Sequence, residues 1–362
     1  MICCNNCFCD NELKPIIESL DLRGNCPICG SSNVYIYDTD KNIELIGYFD
    51  ELISIYTPVK LLPPEFPRAE VCLLKDEMLN NWNIFQELNS SNVYKVITSI
   101  CSEKYQQNPE LFDYPVGIAE LYNPEYLNGH SLLRTNSWEN FVTALKTQNR
   151  FHSSHINLEI LERFCSYIRK PYKKGTVFYR GRISSAVRLC ADEMGAPPPE
   201  KASAGRANAQ GVSCLYLANE IDTTIQEVRA GAFDFISVGE FELQQDIIVL
   251  DLKSIDQISP FIDNLDYMEH AINKENLSKI NLEMGKTLRR SDSDLDYVPT
   301  QYISDFIKSI QHNGNSEYAG LEYNSTMSTS GFNLAIFDPD LFKCINVEIY
   351  KINLVYSKEK IY

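Results

Sequence analysis

Histidine is scarce in this chain, with five in 362 residues, and none stands in the context that a Ser/His/Asp hydrolase needs. The phosphate cradles that glycine-rich motifs mark are missing as well: there is no P-loop and no G-x-G-x-x-G following a strand. No run of about 18 uncharged apolar residues occurs, which excludes an ordinary membrane-spanning helix. The opening MICCNNCFCD lacks the basic stretch and apolar core of a secretory signal, so the expected compartment is the cytoplasm. Basic residues are outnumbered 33 to 49, for a net charge of -16. A general nucleic-acid or anionic-membrane binder needs the opposite field, so any anionic ligand must be met by a locally basic pocket. What the chain does have is a globular composition, 44% apolar, enough for at least one full core.

Cysteine is plentiful but uneven. Six of the twelve crowd the first 29 residues, and the rest are single cysteines in apolar surroundings, expected as small buried hydrophobes. The crowded set contains Cys4-x2-Cys7 and then Cys26-Pro-Ile-Cys29-Gly. Each pair can sit on a tight turn that points two thiolates at one tetrahedral ion, the pattern of a structural zinc ribbon. Cys4, Cys7, Cys26 and Cys29 are therefore the expected zinc ligands, with Cys3 and Cys9 as spare thiols. Four cysteines close the coordination shell, so the metal would hold residues 1–36 together and do no chemistry.

Residues 40–170 read as mostly helical. RAEVCLLKDEMLNNWNIFQEL keeps apolar residues near a 3.6 period after the stop PPEFP, and SHINLEILERFCSYIRK repeats the pattern with Ile156, Ile160, Leu161, Phe164 and Ile168 on one face. No catalytic set appears in this segment, which suits an adaptor, dimerisation or regulatory region. After Pro171 the composition turns to strands: KKGTVFYRGRI, VSCLYLA, EFELQQDIIVLDL, GFNLAIFD and CINVEIYKINLVYS. IDTTIQEVRAG reads as a helix with Asp222 as N-cap and Gly231 as its stop, and TQYISDFIKSI as an amphipathic helix. The fold class is α+β, with domains at 1–36, 40–170 and 171–362.

The polar residues left in this strand-rich part are arginines, a helical glutamate and a serine. Guanidinium groups suit a diphosphate, and a carboxylate can stabilise a sugar cation as a base departs, so the set fits glycosidic cleavage of a dinucleotide. Five pieces of the chain, in order, resemble the RES family, named for an arginine, a glutamate and a serine: FYRGR at 178–182, GRAN at 205–208, LYLA followed by Glu227 in IQEV, YVPTQYISDFI at 297–307, and GLEYNSTMSTSGFNLAIFD at 320–338. That family comprises bacterial toxin domains that degrade NAD on a fold related to ADP-ribosyltransferases, and the resemblance covers about residues 176–350. It implies that Arg180 and Arg206 contact NAD, with Arg182 competing with Arg180 for the first role. It implies further that Tyr216 stacks in the pocket, Glu227 is the catalytic carboxylate, Ser325 is the family serine and Asn333 a further contact. Two departures stand out. Ala207 follows Arg206 where the family commonly has an aromatic residue, and a long polar insertion separates Leu252 from Tyr297, as a lid or a partner surface.

The front half resembles an accessory region that sometimes precedes toxin domains in phage-defence proteins. The leading expectation is thus an NAD glycohydrolase or phosphorylase. The alternatives are a transferase that moves ADP-ribose to a macromolecule and a non-enzymatic zinc-ribbon adaptor. Implied partners are NAD, a regulatory or antitoxin protein and a second copy of the chain, with no membrane and no general nucleic acid.

Overall fold

The computed structural model describes residues 1–286, 293–328 and 331–353. Contacts divide the chain into two compact units: Met1–Thr135 with Gln257–Lys274, and Asn136–Asp256 with the described residues from Glu275 onward. The boundary expected between 170 and 171 falls inside the second unit, and part of the insertion groups with the first. Residues 287–292 of the insertion, and the end of the expected last strand from 354, lie outside the described residues. Among the described residues no helix is long and apolar enough to cross a membrane.

In the first unit the strands Ile2–Cys4, Arg23–Gly24 and Val34–Asp38 form a small antiparallel sheet with Val34–Asp38 in the middle. Cys3, Cys4, Cys7 and Phe8 share one hydrophobic core with Phe49, Leu52, Val93, Val96, Ile97 and Phe112. The expected ribbon and the first helices therefore bury one another's apolar faces.

The helix expected over 68–88 is much shorter and spans only Leu74–Asn80. Asn83 and Glu87 take left-handed backbone angles of 49° and 50°, and residues 84–86 run beside the ribbon instead, where Cys9 N donates to Ile84 O at 2.8 Å and Gln86 N to Cys7 O at 2.9 Å. Pairing with another segment overrides the local helical period here. The second expected helix forms at Leu158–Ser166, capped by the Asn157 side chain, and Ile160, Leu161 and Phe164 are buried as its periodicity implies.

The second unit is built on one eight-stranded sheet. Numbered in chain order, its strands are β1 (Arg169–Tyr172), β2 (Val177–Ser184), β3 (Leu215–Ala218), β4 (Phe235–Leu243), β5 (Ile247–Asp251), β6 (Gly320–Asn324), β7 (Phe332–Ile336) and β8 (Phe342–Lys351). They lie in the order β8-β4-β2-β3-β7-β6-β5-β1, and every neighbouring pair is antiparallel except β5 with β6. Phe178, Leu217, Phe241, Val249, Leu334 and Ile336 pack into a core on one face. Of the helices, α1 spans Ile221–Glu227, α2 Tyr267–Met284 and α3 Val298–Ser309.

The expected caps of α1 are replaced by others. Glu220 occupies the N-cap without a side-chain bond, and the helix ends where Arg229 turns left-handed at 51°, two residues before Gly231.

One charged group is fully buried in the sheet. Glu322 on β6 accepts hydrogen bonds from Lys170 at 2.8 Å, from Lys253, and from the Tyr172 hydroxyl at 2.5 Å. Both lysines also lie over the Phe332 ring. A buried carboxylate survives because two cations and a hydroxyl replace its water.

Candidate active site

Helix α1 can lie close to the sheet because two glycines leave room for it. A side chain at Gly181 on β2 would come within 3.2 Å of Thr224 O and Val228, and one at Gly331 would collide with Thr223 at 1.9 Å. The Gly181 amide donates to Thr224 Oγ1 at 2.7 Å, which fixes the helix on the strand. This docking carries Glu227, the last residue of α1, to the ends of β6 and β7.

There the carboxylate meets two donors. Ser325 Oγ donates to Glu227 Oε1 at 2.5 Å and Asn333 Nδ2 donates to the same oxygen at 2.8 Å. The serine proton has one place to go, because Ser325 Oγ already accepts from the amides of Met327 at 3.2 Å and Ser328 at 3.1 Å. Asn333 stands directly across the ladder from Tyr323, and Tyr323 and Ser325 share a face through the two-residue period of the strand. Tyr323 is buried, and burial pushes its hydroxyl well up, with the Arg206 charge pulling against that and the Glu227 charge adding to it.

Arg206 sits in a tight turn, Gly205 to Asn208, whose ends form an antiparallel bridge. The Tyr216 hydroxyl reaches up from β3 to brace this turn, accepting from Ala207 N at 3.0 Å and donating to Asn208 Oδ1 at 2.6 Å. Burial raises the Tyr216 hydroxyl well above its ordinary value. The resemblance implied a stacking role for Tyr216; the structure engages its hydroxyl with the turn. The Arg206 guanidinium donates to the carbonyls of Glu283 and Lys286, just at and beyond the end of α2, and lies 5.9 Å from the centre of the Tyr297 ring. The negative end of a helix dipole occupies this cation.

The remaining two arginines part company. β2 and β3 pair only at Tyr179 and Ala218, and Arg180 reaches across to donate to Tyr216 O at 2.9 Å. Arg182 donates to Gly195 O at 2.7 Å. Both Nε atoms are buried with no hydrogen-bond partner among the described residues. Burial first, and the Arg182 charge second, pull the Arg180 guanidinium down to about 10.

So the structure joins Glu227, Ser325 and Asn333 by direct bonds, and it bonds Arg180 to the strand that braces the Arg206 turn. Two contributors escaped sequence reasoning. Tyr323 lies in GLEYNSTMSTSGFNLAIFD two residues from Ser325, so strand alternation could have found it. Asn208 closes the GRAN turn, where an asparagine at a turn end was the available signal.

At the N-terminus, Cys4, Cys7, Cys26 and Cys29 offer sulfurs that all lie within 4.8 Å of one another, and this group could hold a metal ion. The Sγ separations are 3.8 Å for Cys4 and Cys7, 3.4 Å for Cys4 and Cys29, and 3.5 Å for Cys7 and Cys26. Gly30, left-handed at 77°, returns its amide to Cys26 O at 3.0 Å and so closes the second turn. Cys9 is engaged elsewhere, with its thiol on Asn83 O at 2.9 Å.

No curated protein and no solved structure matches this chain. The family model for the RES domain does match, over residues 180–356, a span that contains Arg180, the Arg206 turn and the Glu227–Ser325–Asn333 cluster. The chain therefore carries a RES domain at residues 180–356.

Proposed function

We propose that the RES domain cleaves NAD at the bond between nicotinamide and ribose. The observation that carries this reading is the Glu227 carboxylate, tied through Oε1 to Ser325 and Asn333, while Oε2 accepts no hydrogen bond among the described residues. A carboxylate fixed by one oxygen presents the other at a set place and at little reorganisation cost.

In the reaction, the bond from ribose C1′ to the nicotinamide nitrogen breaks and its electron pair goes to the pyridinium ring, which leaves as neutral nicotinamide. The positive charge passes to the ribose as an oxocarbenium ion, which the Glu227 carboxylate stabilises as it develops. Water then adds to C1′ and loses a proton, giving ADP-ribose, or phosphate adds and gives the 1-phosphate ester.

The cations support a diphosphate. Among the described residues none of Arg180, Arg182 and Arg206 forms an ion pair, in a chain where acidic residues outnumber basic ones 49 to 33. An anion that met Arg180 would relieve the penalty its burial imposes. Arg206 offers the forked donors of a guanidinium, now spent on main-chain carbonyls that a phosphate would outcompete.

Zinc is the proposed ion for the four cysteines. Tetrahedral zinc with bonds of about 2.3 Å needs sulfurs about 3.8 Å apart, close to the separations seen, and four thiolates leave no open position. Its role is to hold the N-terminal turns. An enzyme that destroys NAD endangers the cell that makes it, which suits a cytoplasmic toxin or phage-defence protein kept in check by a partner.

The test incubates the full chain with NAD and follows nicotinamide, ADP-ribose, its phosphate ester and label on protein. Nicotinamide with free ADP-ribose or its ester supports the reading. Protein-bound label would show a transferase instead, and unchanged NAD would leave no enzyme on this substrate.

A further inference from the structure

The turn that carries Arg206 is gripped by a side chain nearly a hundred residues later in the chain. Helix α3 begins with Pro299 in its first turn and directs Gln301 inward, where the residue is 9% exposed. Gln301 Nε2 donates to Gly205 O at 2.8 Å and to Asn208 O at 2.9 Å. These two carbonyls are the two ends of the turn. The Gly205 amide closes it by donating to Asn208 O at 2.9 Å, and Asn208 Nδ2 ties its far end to the carbonyls of Ser203 at 2.9 Å and Val212 at 2.9 Å. Just ahead of α3, Tyr297 supplies the ring near the Arg206 guanidinium.

The chemistry of the clamp calls for an amide. One nitrogen with two N–H donors can span two carbonyls; an ionised glutamate has no donor, and methionine fills the same space with none. Both donors of a buried glutamine are thus spent on the backbone of one turn, and the side chain which that turn projects is Arg206.

We propose that Gln301 is a positioning residue for Arg206, setting the direction from which the guanidinium meets the diphosphate of the substrate. The proposal rests on the reading of the site as an NAD-cleaving centre. The diphosphate lies away from the bond that breaks, so its contact with Arg206 is made in ground state and transition state alike, and loosening the turn raises KM more than it lowers kcat.

The experiment uses the full chain with Gln301→Met and Gln301→Glu, each alone and combined with Arg206→Ala. Hydrogen exchange in the peptide covering 203–212 should be faster in both single variants than in wild type, whatever the substrate. KM for NAD should rise about tenfold with kcat within about threefold, and in the Arg206→Ala background Gln301→Met should change KM by less than about twofold. A Gln301→Met effect on KM as large without Arg206 as with it would overturn the proposal, and so would unchanged exchange in 203–212. A wild-type chain that leaves NAD intact refutes the substrate instead, and the exchange measurement then judges the clamp alone. Should Gln301→Met fold poorly, Gln301→Glu keeps the shape and removes the donors.

Discussion

Ser325 Oγ and Glu227 Oε1 stand 2.5 Å apart although 98 residues separate them in the chain. The hydroxyl is aimed by two backbone amides behind it, so the pair is a fixed feature of the β6–β7 connection and α1. Glu227→Gln preserves the size of the side chain and an oxygen for Ser325 and Asn333, but removes the negative charge. NAD cleavage should fall by about 10²-fold or more with the melting temperature little changed. Ser325→Ala removes one charge-assisted hydrogen bond and should cost about tenfold. Near-wild-type turnover by folded Glu227→Gln would refute the role of the carboxylate.

Arg206 should not tolerate lysine. The guanidinium contacts two separate carbonyls at once, and a single ammonium cannot reproduce that fork on a diphosphate. Arg206→Lys should therefore raise KM for NAD nearly as much as Arg206→Ala. Full rescue by lysine, read in steady-state kinetics, would mean that local charge alone matters.

Arg180 predicts a pH dependence. Its guanidinium is held down to about 10 by burial and by Arg182, so it loses its proton as pH rises through about 10, ahead of an ordinary arginine. A bound diphosphate favours the charged form. Affinity for NAD should therefore be level from about pH 7 to 9 and decline as pH passes about 10, and Arg180→Ala should remove that decline. Calorimetric titration across this range checks it: Arg180→Ala should abolish the decline, whereas Arg182→Ala, by removing the like charge that helps hold Arg180 down, should move the decline to higher pH.

The four-cysteine cluster predicts a metal count. Purified chain should contain about one zinc per molecule by elemental analysis, and Cys26→Ser with Cys29→Ser should contain none. Because Cys4 and Cys7 belong to the core shared with Phe49 and Val96, loss of the metal should also lower the melting temperature of the first unit. Full zinc content in the double variant would move the ligands elsewhere.

What could be read from the sequence depends on the range of each interaction. The Cys4/Cys7 and Cys26/Cys29 pairs are local, and tetrahedral coordination dictates their spacing, so they stand out in the bare chain. Glu227, Ser325 and Asn333 come together only through sheet topology, and it took resemblance to a family to suggest them. Gln301 acts on main-chain carbonyls, which leave no trace in residue type, so nothing in a pattern search marks it. The helix shortened to Leu74–Asn80 shows the converse: its period was sound, but backbone pairing of 84–86 with the ribbon prevailed. At the end of α1, glycine is the usual residue for a left-handed stop, yet Arg229 takes that angle and Gly231 gives its amide to Asp234.

The buried Glu322 makes the placement of its neighbours discrete. A slip of β6 by one residue would carry the carboxylate to the opposite face, leave Lys170 a bare cation against the Phe332 ring and Lys253 with Asp251 alone, and bring Tyr323 into their midst. No graded drift connects those two arrangements, so the ledge that bears Ser325 behaves as a detent: it is seated or it is lost. Changes elsewhere in the sheet should consequently abolish the Glu227–Ser325 pair outright or leave it intact, with few variants in between.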